Sequence, residues 1–279
     1  MDRTLTGQAL AGRFQVGARI HLGGTVEVYE AKDLRGDVDV AVKVLARFVA
    51  SDPGLRARLA VEAQAAGVLQ HPNVVRVIDY GEEPDGVAFI VMERLHGRTL
   101  RQAIDADGPF AVETASRIVR EVLSALGAAH GMGIRHRDLK PSNVFLSDEA
   151  GGPRTKLMDF GVAKIEGMIR QTFAGTVGTP RYFPPERIRA PGTEDHRGDV
   201  HAAGVLLYEM LTGRHPFGTE EAEDQMRLLM TAEAPEVRAL RPDVPEPVAR
   251  AIAKALAREP AERFASAAEM SKALRTEAD

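Results

Sequence analysis

From Arg13 to about Leu45, apolar and polar positions alternate in short runs with the two-residue period of half-buried strands. Phe14-Gln15-Val16 and Val26-Glu27-Val28-Tyr29 alternate in this way, whereas Val40-Ala41-Val42-Lys43-Val44 is nearly continuous and predicts a buried strand. Gly36-Asp37 predicts a turn between the second and third of these runs. A helix is predicted from about Pro53 to Leu69, where Ala, Leu, Arg and Glu dominate. Val74 to Tyr80 and Val87 to Glu93 predict two more strands, joined through the turn Pro84-Asp85-Gly86. Residues 1–12 are small and polar, and predict a poorly ordered lead-in.

After Arg94 the period becomes helical. Thr114 to Ala129 carries an apolar stripe at Ile118, Val122, Ala125 and Leu126. Gly204 to Leu211 predicts a strongly apolar helix, Pro247 to Leu256 an Ala-rich one, and Ser266 to Leu274 a closing one. Asn143 to Leu146 and Thr155 to Met158 predict a short hairpin between helices. There is no internal repeat and no low-complexity linker. The pattern gives an α+β class: a small β lobe over about 13–93 with one main helix, a hinge at about 93–97, and a larger, mainly helical lobe over about 98–274.

Composition narrows the function classes. The 279 residues are 44% hydrophobic and 27% charged, enough to bury a sizeable core. A net charge of -4 argues against a dedicated nucleic-acid binder. With no cysteine there is neither a disulfide nor a thiolate metal site, which fits a reducing compartment. The N-terminus has no apolar signal core, and no stretch approaches the ~20 apolar residues that span a bilayer. The expectation is a soluble, cytoplasmic chain, or the cytoplasmic domain of a longer membrane-anchored protein.

The candidate chemistry centres on His136-Arg137-Asp138-Leu139-Lys140-Pro141-Ser142-Asn143. Asp138 offers a carboxylate that can accept a hydroxyl proton, and Asn143 an amide oxygen for a magnesium ion. Lys140 lies between them as a point charge suited to a phosphate in transfer. A short Pro-containing loop between a helix and a strand would present the three together. The stretch resembles the catalytic loop of eukaryotic-type protein kinases, and its Asp-Leu-Lys-Pro-Ser-Asn form resembles the Ser/Thr branch in bacteria.

The resemblance implies the two-lobed kinase fold, with an antiparallel β lobe, and extends from about Arg13 to Leu274. Lys43, in Val-Ala-Val-Lys, would contact ATP phosphates and pair with Glu62 on the following helix. Taken singly, Lys43 suits an edge strand and Glu62 a solvated helix face; the companion motifs decide between these readings. Asp159-Phe160-Gly161 lies 21 residues after Asp138 and implies a second magnesium ligand, Asp159, beside Asn143, with Mn2+ as the alternative ion. By the same resemblance Ile20 and Val28 roof the adenine site, Ala41 and Phe145 sandwich the ring, and Met92 stands behind it. Backbone groups of Glu93 and Leu95 would bond the base.

The glycine-rich loop departs from the family form. Of its three glycines only Gly23 is kept, with His21 and Val26 in the outer places and Gly24 restoring some freedom. Slower ATP handling is expected. Thr172 and Thr176 fall in a segment of activation-loop length and are candidate autophosphorylation sites, with Arg137 as phosphate receptor. Thr179, in Gly-Thr-Pro, would contact Asp138 and Lys140 and shape the peptide site. Asp199 would hold the catalytic-loop backbone, and Arg263 would pair with Glu186.

The implied function is ATP- and Mg2+-dependent transfer of the γ-phosphoryl group to protein Ser/Thr hydroxyls. The alternative is a weak or inactive pseudokinase that binds nucleotide or scaffolds, suggested by the glycine loop, Arg135 and Pro184. A small-molecule phosphotransferase is disfavoured by the Gly-Thr-Pro and Pro-Pro-Glu segment, which suits peptide docking. Relatives often pair through the small lobe, which leaves a homodimer open.

Overall fold

Valines 40, 42 and 44 project from one face of a strand into a core of alternate residues from its neighbours, among them Phe14, Val16, Tyr29, Phe89 and Val91. The intervening Ala41 and Lys43 point to the opposite face and are buried as well, which is why the run reads as continuous. In this computed structural model the described residues are 5–22, 26–45, 67–149, 151–160, 181–190, 192–218 and 222–275. Those up to His96 form one compact unit and those from Gly97 onward a second.

Among the described residues the first unit is a six-stranded antiparallel sheet. Its strands are β1 (Ala9–Leu10), β2 (Phe14–Leu22), β3 (Val26–Asp33), β4 (Val38–Leu45), β5 (Val77–Glu82) and β6 (Ala88–Glu93), in the order β1-β2-β3-β4-β6-β5. Here the reading of residues 1–12 as a loose lead-in needs amendment. Leu10 is 2% exposed within the sheet core, and Ala9 and Leu10 pair with Gln15 and Phe14. One buried leucine and two ladder positions suffice to anchor the segment. The predicted helix over 53–69 lies almost entirely outside the described residues.

The second unit opens with β7 (Gly97–Thr99), which pairs with β8 (Val144–Glu149); β8 in turn pairs antiparallel with β9 (Gly152–Leu157). Among the described residues its helices are α1 (Leu100–Asp107), α2 (Val112–Gly131), α3 (Pro185–Arg189), α4 (Arg197–Thr212), α5 (Ala222–Thr231), α6 (Val237–Leu240), α7 (Glu246–Ala255) and α8 (Ala267–Ala273). The stripe Ile118, Val122, Ala125 and Leu126 is the buried face of α2, as its period predicts. Every residue of α4 from Gly198 to Leu211 is buried, so this helix is the centre of the unit. It ends at Gly213, whose φ of 67° allows the cap N–H to reach the Glu209 carbonyl at 2.8 Å. Gly204 lets α7 approach: a Cβ there would lie 2.7 Å from that of Ala255. Among the described residues, no helix is long and apolar enough to cross a membrane.

Two histidines of this unit make its stability pH-dependent. His201 on α4 is fully buried, its ring stacked on Phe217 at 6.3 Å and both nitrogens without a hydrogen bond. Burial, then Arg263 and His215, hold its pKa well below the ordinary value. Burial and then Arg181 lower His215 to about 3. Both are neutral when folded but titrate near 6.5 when unfolded, so acid favours unfolding. Their contribution is complete above about 6.5 and is lost as pH falls from there toward the folded values. Urea melts should show a loss of about 2 kcal/mol per buried histidine between about pH 7 and about pH 5. A flat profile over that range would contradict the neutral assignment.

Candidate active site

Helix α2 ends at Gly131, and Gly133, with φ 74°, turns the chain into the loop 134–143. The loop hangs on one carboxylate. Asp199, in the first turn of α4 and 4% exposed, accepts the His136 amide at 2.9 Å and the Arg137 amide at 2.9 Å. It also accepts His130 Nε2 at 2.8 Å. Burial opposes its ionisation, but His130, His136 and the Arg137 amide outweigh burial and hold its pKa below the ordinary carboxylate value. The sequence expectation for Asp199 is met in its hydrogen bonds.

These bonds stabilise a backbone that is costly on its own. Arg137 has φ 65°, in the left-handed region that side chains with a Cβ disfavour. His136 is fully buried, its Nδ1 accepting from the Asp138 amide at 3.3 Å and its Nε2 bonded to the Met158 carbonyl at 2.8 Å. That pair of partners selects the Nε2–H tautomer. Its ring also meets that of buried Phe160 edge-on, with centroids 4.8 Å apart.

Asp138 lies between two donors, Lys140 Nζ at 2.6 Å and Asn143 Nδ2 at 3.1 Å. Pro141–Asn143 is a single 3-10 turn that carries Asn143 back to the loop, where Nδ2 also donates to the Asp138 carbonyl at 2.8 Å. The Asn143 carbonyl then accepts the Met158 amide at 2.9 Å, next to Asp159. Asp159 itself has φ 62°, a second left-handed residue in this small region. The structure thus gathers Asp138, Lys140, Asn143 and the strand end that bears Asp159, all within the second unit. Phe145, on β8 of the same unit, is half-buried.

Arg263 and Glu186 form the expected pair, with two parallel bonds of 2.8 and 2.7 Å. In the first unit, Lys43 is buried at 6% exposure and lies in register with Val28 and Ile90. Ala41 is in register with Met92. Val28, Met92, Glu93 and Leu95 are half-buried, and Ile20 is exposed. Glu62, Gly23, Gly24, Thr172, Thr176 and Thr179 lie outside the described residues.

Sequence reasoning missed a second buried acid on α4. Glu209, 4% exposed, accepts Tyr182 Oη at 2.6 Å and Arg101 Nη1 at 2.7 Å. Burial, then Glu209, pushes the Tyr182 phenol up. The available signal was one acid in the otherwise apolar run Leu206-Leu207-Tyr208-Glu209-Met210-Leu211, which implies a buried partner. Arg135, unusual in sequence, donates to the Glu194 carbonyl at 2.6 Å and so ties the loop to the segment before α4.

Known proteins resemble this chain. Residues 14–275 match the family described as protein kinase domain. Serine/threonine-protein kinase pkn3 of Myxococcus xanthus is 40% identical over 94% of this chain and 49% of its own length. PrkC of Bacillus subtilis is 37% identical over 99% of this chain and 42% of its own length. For PknB of Mycolicibacterium smegmatis the values are 40%, 95% and 43%. The chain therefore spans about half the length, or less, of these curated relatives. The crystal structure of the Mycobacterium tuberculosis PknI kinase domain aligns with a TM-score of 0.77 at 28% identity, covering 98% of each chain. An antiparallel β unit followed by a helical unit, a loop sequence that resembles the family's catalytic loop, and a match over nearly the whole length lead to one conclusion: the chain belongs to the protein kinase family.

Proposed function

We propose that residues 13–274 are the catalytic domain of an ATP-dependent protein Ser/Thr kinase. The observation that carries this reading is Asp138 held between Lys140 and Asn143, on a loop pinned by Asp199 and joined through Met158 to Asp159. Asp138 orients the substrate hydroxyl and accepts its proton, while Lys140 meets charge that develops on the transferring phosphoryl group. Lys43, partnered by Glu62, positions the ATP phosphates. Adenine is taken by Ile20, Val28, Ala41, Met92, Phe145 and the backbone of Glu93 and Leu95, and the phosphates are covered by the loop with Gly23 and Gly24.

A divalent ion fits the donor set. Both side-chain bonds of Asn143 are made by Nδ2, which leaves Oδ1 without a hydrogen bond among the described residues. This oxygen and the Asp159 carboxylate are hard ligands of the kind Mg2+ or Mn2+ prefers. When bound there, the ion supplies positive charge that neutralises the nucleotide phosphates. Most of the catalysis is positioning and preorganised charge. We place the protein in the cytoplasm, or on the cytoplasmic side of a membrane-anchored parent, with Ser/Thr proteins as substrates and no nucleic-acid partner. Self-association through the small lobe fits the same reading.

The test is autophosphorylation with Mg2+ and ATP, followed by mass mapping of residues 162–180. Phosphate on Thr172 or Thr176 is expected. Active protein unmodified at both would contradict the activation-loop switch, and absence of transfer to any protein would contradict the kinase reading.

A further inference from the structure

Directly after Pro-Pro-Glu, the short helix α3 carries an arginine that the family resemblance does not assign. Arg187 Nη1 donates to the main-chain carbonyl of Arg137, the residue before Asp138. The same guanidinium lies over the ring of Phe183, 3.8 Å from its centroid. Arg137, Asp138, Phe183, Pro184 and Arg187 line one small cavity, with Glu194 and Asp199 on its wall.

The position of that bond matters more than its mere presence. The peptide groups on either side of Arg137 are held by different residues. Asp199 accepts the amide of Arg137 at 2.9 Å, and Arg187 donates to the carbonyl. The Arg137 carbonyl and the Asp138 amide belong to one planar peptide unit, so fixing the oxygen fixes the direction in which Asp138 leaves the chain. A residue with φ 65° does not hold that direction by itself. A counter-ion role for Arg187 is less well supported: the Glu194 carboxylate faces Arg137 Nε at 3.9 Å and accepts the Gly192 amide at 2.9 Å.

Resting on the kinase reading above, we propose that Arg187 is a positioning residue for phosphoryl transfer. It clamps the peptide between Arg137 and Asp138 and thereby aims the Asp138 carboxylate. Its stack on Phe183 makes that aim depend on the segment that precedes α3, so the peptide-docking side and the proton-accepting side are set together.

The test compares wild type, Arg187→Met and Arg187→Lys by steady-state kinetics with a generic basic protein and by thermal melting. Methionine keeps the apolar body over Phe183 and removes the donor; lysine restores a donor. The Met variant should lose roughly 10–100-fold in kcat, the scale of a small misplacement of a reacting group, with KM for ATP nearly unchanged. The Lys variant should recover part of that loss. A folded Met variant with wild-type kcat would overturn the proposal. Loss of kcat and melting temperature in step in both variants, without recovery by lysine, would also overturn it, since that marks a scaffold residue. Wild type that transfers no phosphate under the same conditions removes the parent reading too, and is recognised before any variant is compared.

Discussion

Asp138→Asn is expected to lower kcat for phosphoryl transfer by about 10²–10⁴-fold, the usual contribution of a positioned proton acceptor. The substitution keeps the shape of the side chain and removes its charge. Both donors now facing Asp138, Lys140 Nζ at 2.6 Å and Asn143 Nδ2 at 3.1 Å, reach the same oxygen, Oδ2, so an asparagine Oδ1 in its place can still accept from them. The loop stays in place because its anchors are the Asp199 carboxylate and the His136 contact with Met158, neither of which involves the Asp138 side chain. KM for ATP should therefore change little and the melting temperature should stay within a few degrees. Stopped-flow or steady-state phosphate transfer with a thermal melt checks both halves. A variant that retains a tenth or more of wild-type kcat would move the proton acceptor elsewhere.

Arg263→Met should destabilise the helical unit by about 3–5 kcal/mol, the cost of leaving one partner of a buried ion pair behind. Arg263 has no exposed side-chain surface, and each of its five N–H donors has an acceptor. Two reach Glu186, at 2.8 and 2.7 Å. The remainder reach the carbonyls of Ala257 at 2.8 Å, Arg258 at 2.9 Å and Arg197 at 3.3 Å. Truncation leaves the Glu186 carboxylate and these carbonyls unsatisfied together. The melting temperature should fall on the order of 10 °C. Adding Glu186→Leu to the Met variant should recover part of the loss, because the orphaned charge goes with it. A single-variant shift below about 2 °C would show that solvent reaches the pair.

Much of the first unit was legible because its strands carry clear patterns: Phe14 and Val16 face the sheet core as their alternation requires, and the nearly continuous run from Val40 to Val44 is buried on both faces. The α2 stripe was legible for the same reason at the helical period. β1 was not, because it is one leucine in a polar segment, and its burial is decided by Phe14 and the rest of the sheet core. Helix α1 left a faint trace, the capping box of Thr99 and Gln102, in a stretch too short to show a sustained period. The short helices α3 and α6 have too few residues to show a period.

In the site, Asp138, Lys140 and Asn143 were readable because chemistry and spacing coincide in one loop. Their support was readable only in part. Asp199 stands out as an acid at the start of an apolar helix, as Glu209 does within it. Arg187 gives no such signal, since Arg187-Ile188-Arg189 reads as a solvated turn of helix. Only the fold brings its guanidinium onto the Arg137 carbonyl.

The most direct test of the account is phosphoamino-acid analysis of a generic basic protein incubated with this chain, Mg2+ and γ-labelled ATP, with Asp138→Asn as the blank. The account predicts phosphoserine and phosphothreonine with the wild type and background label with the variant. Equal labelling by both proteins, or none by a wild type that binds ATP, would contradict it.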